Sequence, residues 1–407
     1  MQKKAIVVSV VLYLVSTGIS YAGFNFLAGG PERASEPVGQ TAEFGLAIDP
    51  NEPRDQECSM NGDYFTKTER DAWEKRRPLI VMIENSPDAR PHSGIDKADI
   101  VYEAVAEGGV TRFMPVYYCK AQADDVVIAP VRSVRTYFID WASEYGETPL
   151  FGHVGGANCS ADKLADGNFG PCKTDKRAQA IEQLASYGWR YSKGNDLDQF
   201  AAGAPKKYPD QPAYVRNESR TGKQVATEHS VVARSELLWQ LGLERGWTNE
   251  DLEGVEWTEN FTPWKFADQA SDTGRGTTEK IAFEFWDGYG DFAVKWEYDR
   301  AANEYKRYTG GQAHTILETG GQIVTKNVVV QFTREIGPID EPKHMLYTTS
   351  GEGKALIFQN GNVLEGTWSK AKRTDRTIFK DSKGREVTFA RGPIWISVVA
   401  TGTTVDY

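Results

Sequence analysis

The sequence predicts an α+β protein: an α/β-type layered N-terminal domain, then a β-rich antiparallel C-terminal domain, behind an N-terminal transmembrane helix. Three observations carry this. An uncharged, mostly apolar run occupies residues 5–28. Between residues 76 and 245, short apolar runs alternate with segments of helical period, the grammar of α/β layers. Beyond residue 277 the period falls to two, interrupted by hairpin turns.

The first 30 residues read as a signal anchor. Lys3 and Lys4 precede the apolar run. At about 1.5 Å per residue that run crosses a hydrocarbon layer of roughly 30 Å. Lysines in front hold that end in the cytoplasm and place the rest outside. Ser20-Tyr21-Ala22 has the small-x-Ala form of a cleavage site, but the run continues through Phe24, Phe26 and Leu27, which favours a retained anchor. No cysteine lies near residue 22 to take a lipid. Residues 31–75, rich in Pro, Glu, Asp and Gly, read as a flexible tether.

Residues 76–245 form the expected α/β-type domain. Residues 78–84 (PLIVMIE) are a buried-strand run ending at Glu84, and a loop bearing Pro and Gly follows. Strands are expected over 111–119, 126–131 and 150–154. A helix is expected over 136–145, where Phe138, Trp141, Ala142 and Tyr145 keep helical spacing. Residues 176–188 and 234–245 are helical again. The pattern loosens over 246–276, the expected linker. In residues 277–407, Phe292, Val294, Trp296 and Tyr298 alternate. Asn360-Gly361 between two apolar runs is a strong hairpin signal.

With 407 residues, two domains is the natural division. A net charge of -10 argues against a nucleic-acid backbone as partner, since that needs clustered Lys and Arg. The four cysteines, Cys58, Cys119, Cys159 and Cys172, suit an oxidising compartment. Cys159 and Cys172 bracket a short loop and are the first pair expected, leaving Cys58 with Cys119. Zinc is the rival, but the close two-residue spacing that zinc sites favour is missing. No metal and no cofactor is expected.

Candidate chemistry gathers in residues 84–156. Arg132 and Arg135 stand where a strand meets a helix, and His153 precedes Gly155-Gly156. A helix start with two planar guanidiniums suggests an anion-facing site. Arg90 and Arg112 lie in the same region and join Arg132, Arg135 and His153 as ligand-binding candidates. Glu84, Asp99, Glu103 and Glu107 are acidic, and two facing carboxylates can serve as acid and base. The competing reading pairs these acids with the arginines. Glu103 and His153 are the catalytic candidates, while His229 reads as loop packing before a helix. No HExxH, GxSxG, SxxK or Walker motif occurs. Trp286, Tyr289, Trp296, Tyr298 and Trp368 either stack on sugars or fill a β core, and the core is the commoner fate.

RPLIVMIENSPDARPHSGIDKADIVYEAVAEGGVTRF, APVRSVRTYFIDWASEYG and HVGG, followed by NEYKRYTGG, KNVVVQF, FQNGNVLEGTWSK and GPIWISVV, resemble the signature segments of the YerB-like bacterial lipoproteins. The resemblance covers most of residues 76–403 in order. It implies an extracytoplasmic, membrane-tethered protein with a two-part domain of unknown function. Unlike the lipoproteins, this chain lacks a cysteine after its signal, so anchoring falls to residues 5–28 in the cytoplasmic membrane. The expected role is an accessory or binding protein for an anionic cell-envelope component or an envelope protein partner. An envelope hydrolase or transferase using an acidic residue with His153 is the alternative.

Overall fold

Strand 394–400 decides the architecture. Ile394, Trp395, Ile396, Ser397, Val398 and Val399 are all buried, the near-continuous apolar pattern of a strand covered on both faces. In the computed structural model, which describes residues 44–164, 168–191 and 193–407, this strand lies at the middle of an eleven-stranded mixed sheet. In chain order the strands are β1 (Leu79–Val81), β2 (Ile83–Glu84), β3 (Ile100–Glu107), β4 (Val110–Tyr117), β5 (Leu150–His153) and β6 (Asp196–Asp198). From the C-terminal half come β7 (Asn327–Thr333), β8 (Gly351–Gln359), β9 (Asn362–Lys370), β10 (Ile378–Asp381) and β11 (Ile394–Ala400). The sheet order is β10-β9-β8-β7-β11-β3-β4-β1-β5-β6, with β2 also on β4.

β11 runs parallel to both β7 and β3, so one sheet is shared by the two expected halves. The linker at 246–276 therefore does not divide the fold: residues 44–407 form one compact unit. Periodicity identifies a strand but not its neighbours, and the neighbours of β11 come from opposite halves of the sequence.

The C-terminal half is β-rich as expected. β8 and β9 pair in a hairpin with Gln359 opposite Asn362, and Asn360 and Gly361 both take positive φ, as a two-residue turn requires. A smaller antiparallel sheet holds strands Lys280–Phe283, Val294–Asp299, Glu304–Thr309 and Gln312–Ala313. Trp296 and Trp368 are buried, and Trp286 donates to Glu335. Tyr298 is half-buried and donates to Asn303; among these five aromatics only Tyr289 is exposed. Most of the proposed sugar-stacking surface is thus interior packing.

The tether ends earlier than residue 75. Strands Arg54–Glu57 and Tyr64–Thr66 pair, and helix Lys67–Trp73 begins with a capping box in which Thr66 and Glu69 satisfy each other's backbone. Cys58, Met60, Phe65 and Trp73 are buried. The T-x-x-E signal outweighs the low hydrophobicity of this stretch. Cys58 is bonded to Cys119 and Cys159 to Cys172, the expected pairing, with Cα atoms 6.1 and 5.3 Å apart. The expected membrane span at residues 5–28 lies outside the described residues. Among the described residues no helix is long and apolar enough to cross a membrane.

Candidate functional site

Arg112, Arg132 and Arg135 converge, but on carboxylates. Arg112 stands on β4 opposite Glu84 of β2. Its Nη2 lies 2.6 Å from Glu107 Oε1, and its Nη1 donates to the Ser133 carbonyl. Arg135 precedes helix Thr136–Ala142 and reaches the second oxygen of Glu107. Arg132 Nε lies 3.4 Å from Glu84 Oε1, and Nη1 donates to the Glu228 carbonyl. His229 Nδ1 takes the other oxygen of Glu84 at 2.8 Å. Burial pushes Glu107 up, but Arg112 and Arg135 more than offset it and hold the carboxyl down to about 2. Three guanidiniums thus surround two carboxylates. The protein's own carboxylates occupy the anion-facing site expected of Arg132 and Arg135, and they offset the cost of desolvating the guanidiniums.

His153 is also consumed. It is fully buried at the end of β5, with Nδ1 2.7 Å from the Gly155 carbonyl and Nε2 2.8 Å from Asp196 Oδ1. Both neighbours are acceptors, so both ring nitrogens carry hydrogen and the ring is an imidazolium. Burial pushes its pKa down, but the charge and hydrogen bond of Asp196, then Asp198 and the Gly155 carbonyl, leave it above its ordinary value. Arg190 spans the outer oxygens of Asp196 and Asp198 at 3.0 and 3.1 Å. The expected general base is a buried cation in an ion network.

This has a pH consequence. A group whose folded pKa is raised contributes stability that is fully present below its unfolded value, about 6.5, and lost as pH rises through the folded value. The His153 contribution should therefore fade on the limb of the stability profile above about pH 6.5, as pH rises through the raised folded value. His153→Gln should flatten that limb of the melting-temperature profile. A neutral imidazole at pH 6 by ¹⁵N NMR would refute the assignment.

Glu103 is the most enclosed candidate. It is fully buried on β3 and accepts Arg307 Nη2 at 3.0 and 2.8 Å, together with Thr111 Oγ1 at 3.1 Å. Arg307 lies over Trp395, 4.4 Å from the ring centroid, with Trp296 also in reach. From Arg307 a directed chain of hydrogen bonds runs outward. Arg307 Nε donates to His314 Nδ1 at 3.0 Å, which leaves His314 Nε2 to donate to His92 Nδ1 at 2.8 Å. His92 Nε2 then donates to the Glu84 carbonyl at 2.7 Å. Each ring is one neutral tautomer, consistent with burial pushing both histidines well below their ordinary value. Asp99 is likewise interior: Tyr118, Cys119 and Lys120 N–H groups and Asn61 Nδ2 donate to it, while burial pushes it up to about 7.

Arg90 differs from the other four candidates. Nε donates to Asn85 Oδ1, and Nη2 donates to the carbonyls of Asn85 and Asp291. No carboxylate pairs with it among the described residues, and burial pushes the guanidinium down to about 10. It lines a cavity of about 310 Å³ with Pro91, Thr309, Gln312, Ala313 and His314.

Sequence reading missed Arg307, His92, His314, Asp196, Asp198 and Arg190. Arg307 had a signal. It sits between Tyr305 and Thr309 on the inward face of an alternating strand, where an ionic side chain demands a buried partner. The partner, Glu103, lies 204 residues away.

Two family models match. "Protein of unknown function (DUF3048) N-terminal domain" matches residues 65–202, and the corresponding C-terminal domain matches residues 281–396. A curated relative, "Putative lipoprotein YerB" of Bacillus subtilis (strain 168), is 28% identical over 336 residues, covering 82% of this chain and 84% of the relative. The crystal structure of YerB protein from Bacillus subtilis shares the fold, with a TM-score of 0.63 at 22% identity, covering 86% of this chain and 100% of that one.

Proposed function

Given that the chain belongs to the two-part DUF3048 family of YerB-like proteins, we propose that it is an extracytoplasmic accessory protein that binds an anionic component of the cell envelope. It is held at the membrane by residues 5–28. The relative named as a lipoprotein supports the envelope location, and the absence of a cysteine near residue 22 favours a peptide anchor over a lipid. An envelope protein partner is the other form this reading takes.

One observation carries the choice of binding over catalysis. Glu103 and His153, the two groups that acid–base chemistry would need, are fully buried and have their polar atoms engaged within the protein. A general acid or base must reach substrate within about 3 Å, directly or through one water. The hydrolase reading asks of both residues a proton transfer that their partners already occupy.

The test uses the full chain in detergent, mixed with isolated peptidoglycan and with a lipid-linked precursor. Retention of the protein on envelope material, with the material's mass spectrum unchanged, is the expected result. Turnover that disappears in folded Glu103→Gln or His153→Gln protein would overturn the reading.

A further inference from the structure

A groove of about 490 Å³ opens beside helix Ser235–Arg245, within the range of about 300–1,000 Å³ usual for small-ligand sites. Its walls are fixed. Trp247 N–H donates to the Gly242 carbonyl and closes the helix over Gly246, which takes φ 94°. Trp239 Nε1 donates to the Arg77 carbonyl at 3.1 Å and Trp247 Nε1 to the Lys193 carbonyl at 2.8 Å.

The lining carries an excess positive charge. Glu236, its one carboxylate, takes both Nη atoms of Arg76 at 2.6 and 2.7 Å. Lys75 is exposed and makes no ion pair and no side-chain hydrogen bond among the described residues. Asp71 lies within electrostatic reach of Lys75 but is held by Lys67. One uncompensated cation on the rim, in a chain of net charge -10, favours an anionic ligand.

A second donor stands on the same rim. Asn249 N–H donates to the Lys75 carbonyl at 3.3 Å, and the Asn249 carbonyl accepts Trp257 N–H at 2.9 Å. These bonds make Asn249 a neighbour of Lys75 and pin its backbone. Its side-chain amide has no hydrogen bond among the described residues and is open to solvent. Gln240, also in the lining, donates from Nε2 to Glu244 at 3.2 Å, which leaves Oε1 as an acceptor.

The apolar wall narrows the ligand class. Sugars pack flat on open aromatic faces, and here none is open. Trp239 and Trp247 are only 4% and 9% exposed, with the Arg76 and Arg77 guanidiniums 4.5 and 4.7 Å from their ring centroids. Leu243, 53% exposed, instead offers a surface for an aliphatic side chain. The amides beside it supply both donor and acceptor, as a peptide bond requires.

We propose that this groove binds a short acidic peptide. Lys75 Nζ and Asn249 Nδ2 hold a carboxylate, Gln240 Oε1 accepts a backbone N–H, and Leu243 covers an aliphatic side chain. The inference rests on the reading of the protein as a binder of anionic envelope material, and it gives that binding a place and a chemical class.

The experiment is calorimetric titration of the full chain in detergent with N-acetyl-alanyl-glutamate. Its diamide is the uncharged control, while N-acetylglucosamine trimer and inorganic phosphate represent the competing ligand classes. The acidic dipeptide should bind saturably and the diamide should bind more weakly; neither competitor should displace the dipeptide. Lys75→Gln should weaken binding by about five-fold, the worth of a partly exposed ion pair. Leu243→Asp should weaken it by about ten-fold or more, through lost apolar contact and like-charge repulsion. Both side chains are exposed, so both thermal midpoints should stay at the wild-type value, which separates lost binding from lost folding. Dipeptide binding that survives both substitutions, or that phosphate or the glycan displaces, would overturn the peptide site. If the dipeptide does not bind while the protein is still retained on envelope material, the site falls and the binding reading stands. Failure of both binding and retention would overturn the site and the reading together.

Discussion

Glu103→Gln should lower the unfolding free energy by about 3–5 kcal/mol, the usual cost of removing one partner from a buried ion pair. Glutamine nearly preserves the shape of the side chain and can still accept from Thr111, so the loss measures the charge. Arg307 would be left wholly buried, with Nη1 already lacking a partner and Nη2 facing a neutral amide. Urea unfolding of the two proteins gives the difference directly. The double replacement Glu103→Met with Arg307→Met should recover most of it, because two well-packed apolar side chains in place of a buried pair are often neutral or better. A single mutant as stable as wild type would mean that Glu103 is protonated and idle in the fold. Its enclosure would then need another explanation, and the catalytic reading would regain ground.

Glu144→Gln should cost a similar amount, about 3–5 kcal/mol. Glu144 lies just past helix Thr136–Ala142 and is fully buried. It accepts from Lys370 Nζ at 2.8 Å, Arg376 Nη1 at 3.3 Å, Thr377 N at 3.1 Å and Thr377 Oγ1 at 2.7 Å. Removing its charge strands two buried cations at once. Arg376 would keep only its aromatic surroundings, with its guanidinium 3.6 Å from the Trp264 ring centroid. Burial pushes Glu144 up, but Lys370 and Arg376 more than offset it and hold the carboxyl below its ordinary value. A depressed folded pKa contributes stability that is present above the unfolded value, roughly 4.5, and lost as pH falls through the folded value. The acid limb of the stability profile should therefore be shallower in Glu144→Gln than in wild type. An unchanged acid limb together with unchanged urea stability would show that the ion cluster does not join the two halves energetically.

These two clusters account for much of what sequence reading could and could not reach. The cysteine pairing was the one preferred from sequence, because a short bracketed loop favours one pair and leaves the other. The hairpin at Asn360-Gly361 was legible because few residues accept positive φ in succession. The same local logic misjudged residues 54–73, where a capping box and a disulfide hold a polar stretch in the body of the fold. For Arg132 and Arg135 the types of partner were foreseeable and the pairing was not. Both readings, an open cleft and an internal clamp, use the same residues.

The sequence by itself determined most local elements, the preferred disulfide pairing, the family, and the excess of acidic over basic residues that argues against a nucleic-acid partner. Those properties depend on neighbours in the chain or on composition, which a linear pattern records. Only the tertiary structure decided that β11 joins both halves in one sheet, that Glu103 and His153 are sealed ion partners, and that Arg90 pairs with neutral acceptors where Arg112, Arg132 and Arg135 meet carboxylates. Each of these turns on which distant side chain balances a charge. Coulomb energy and desolvation act through space between groups up to 204 residues apart, and no spacing along the chain encodes that distance.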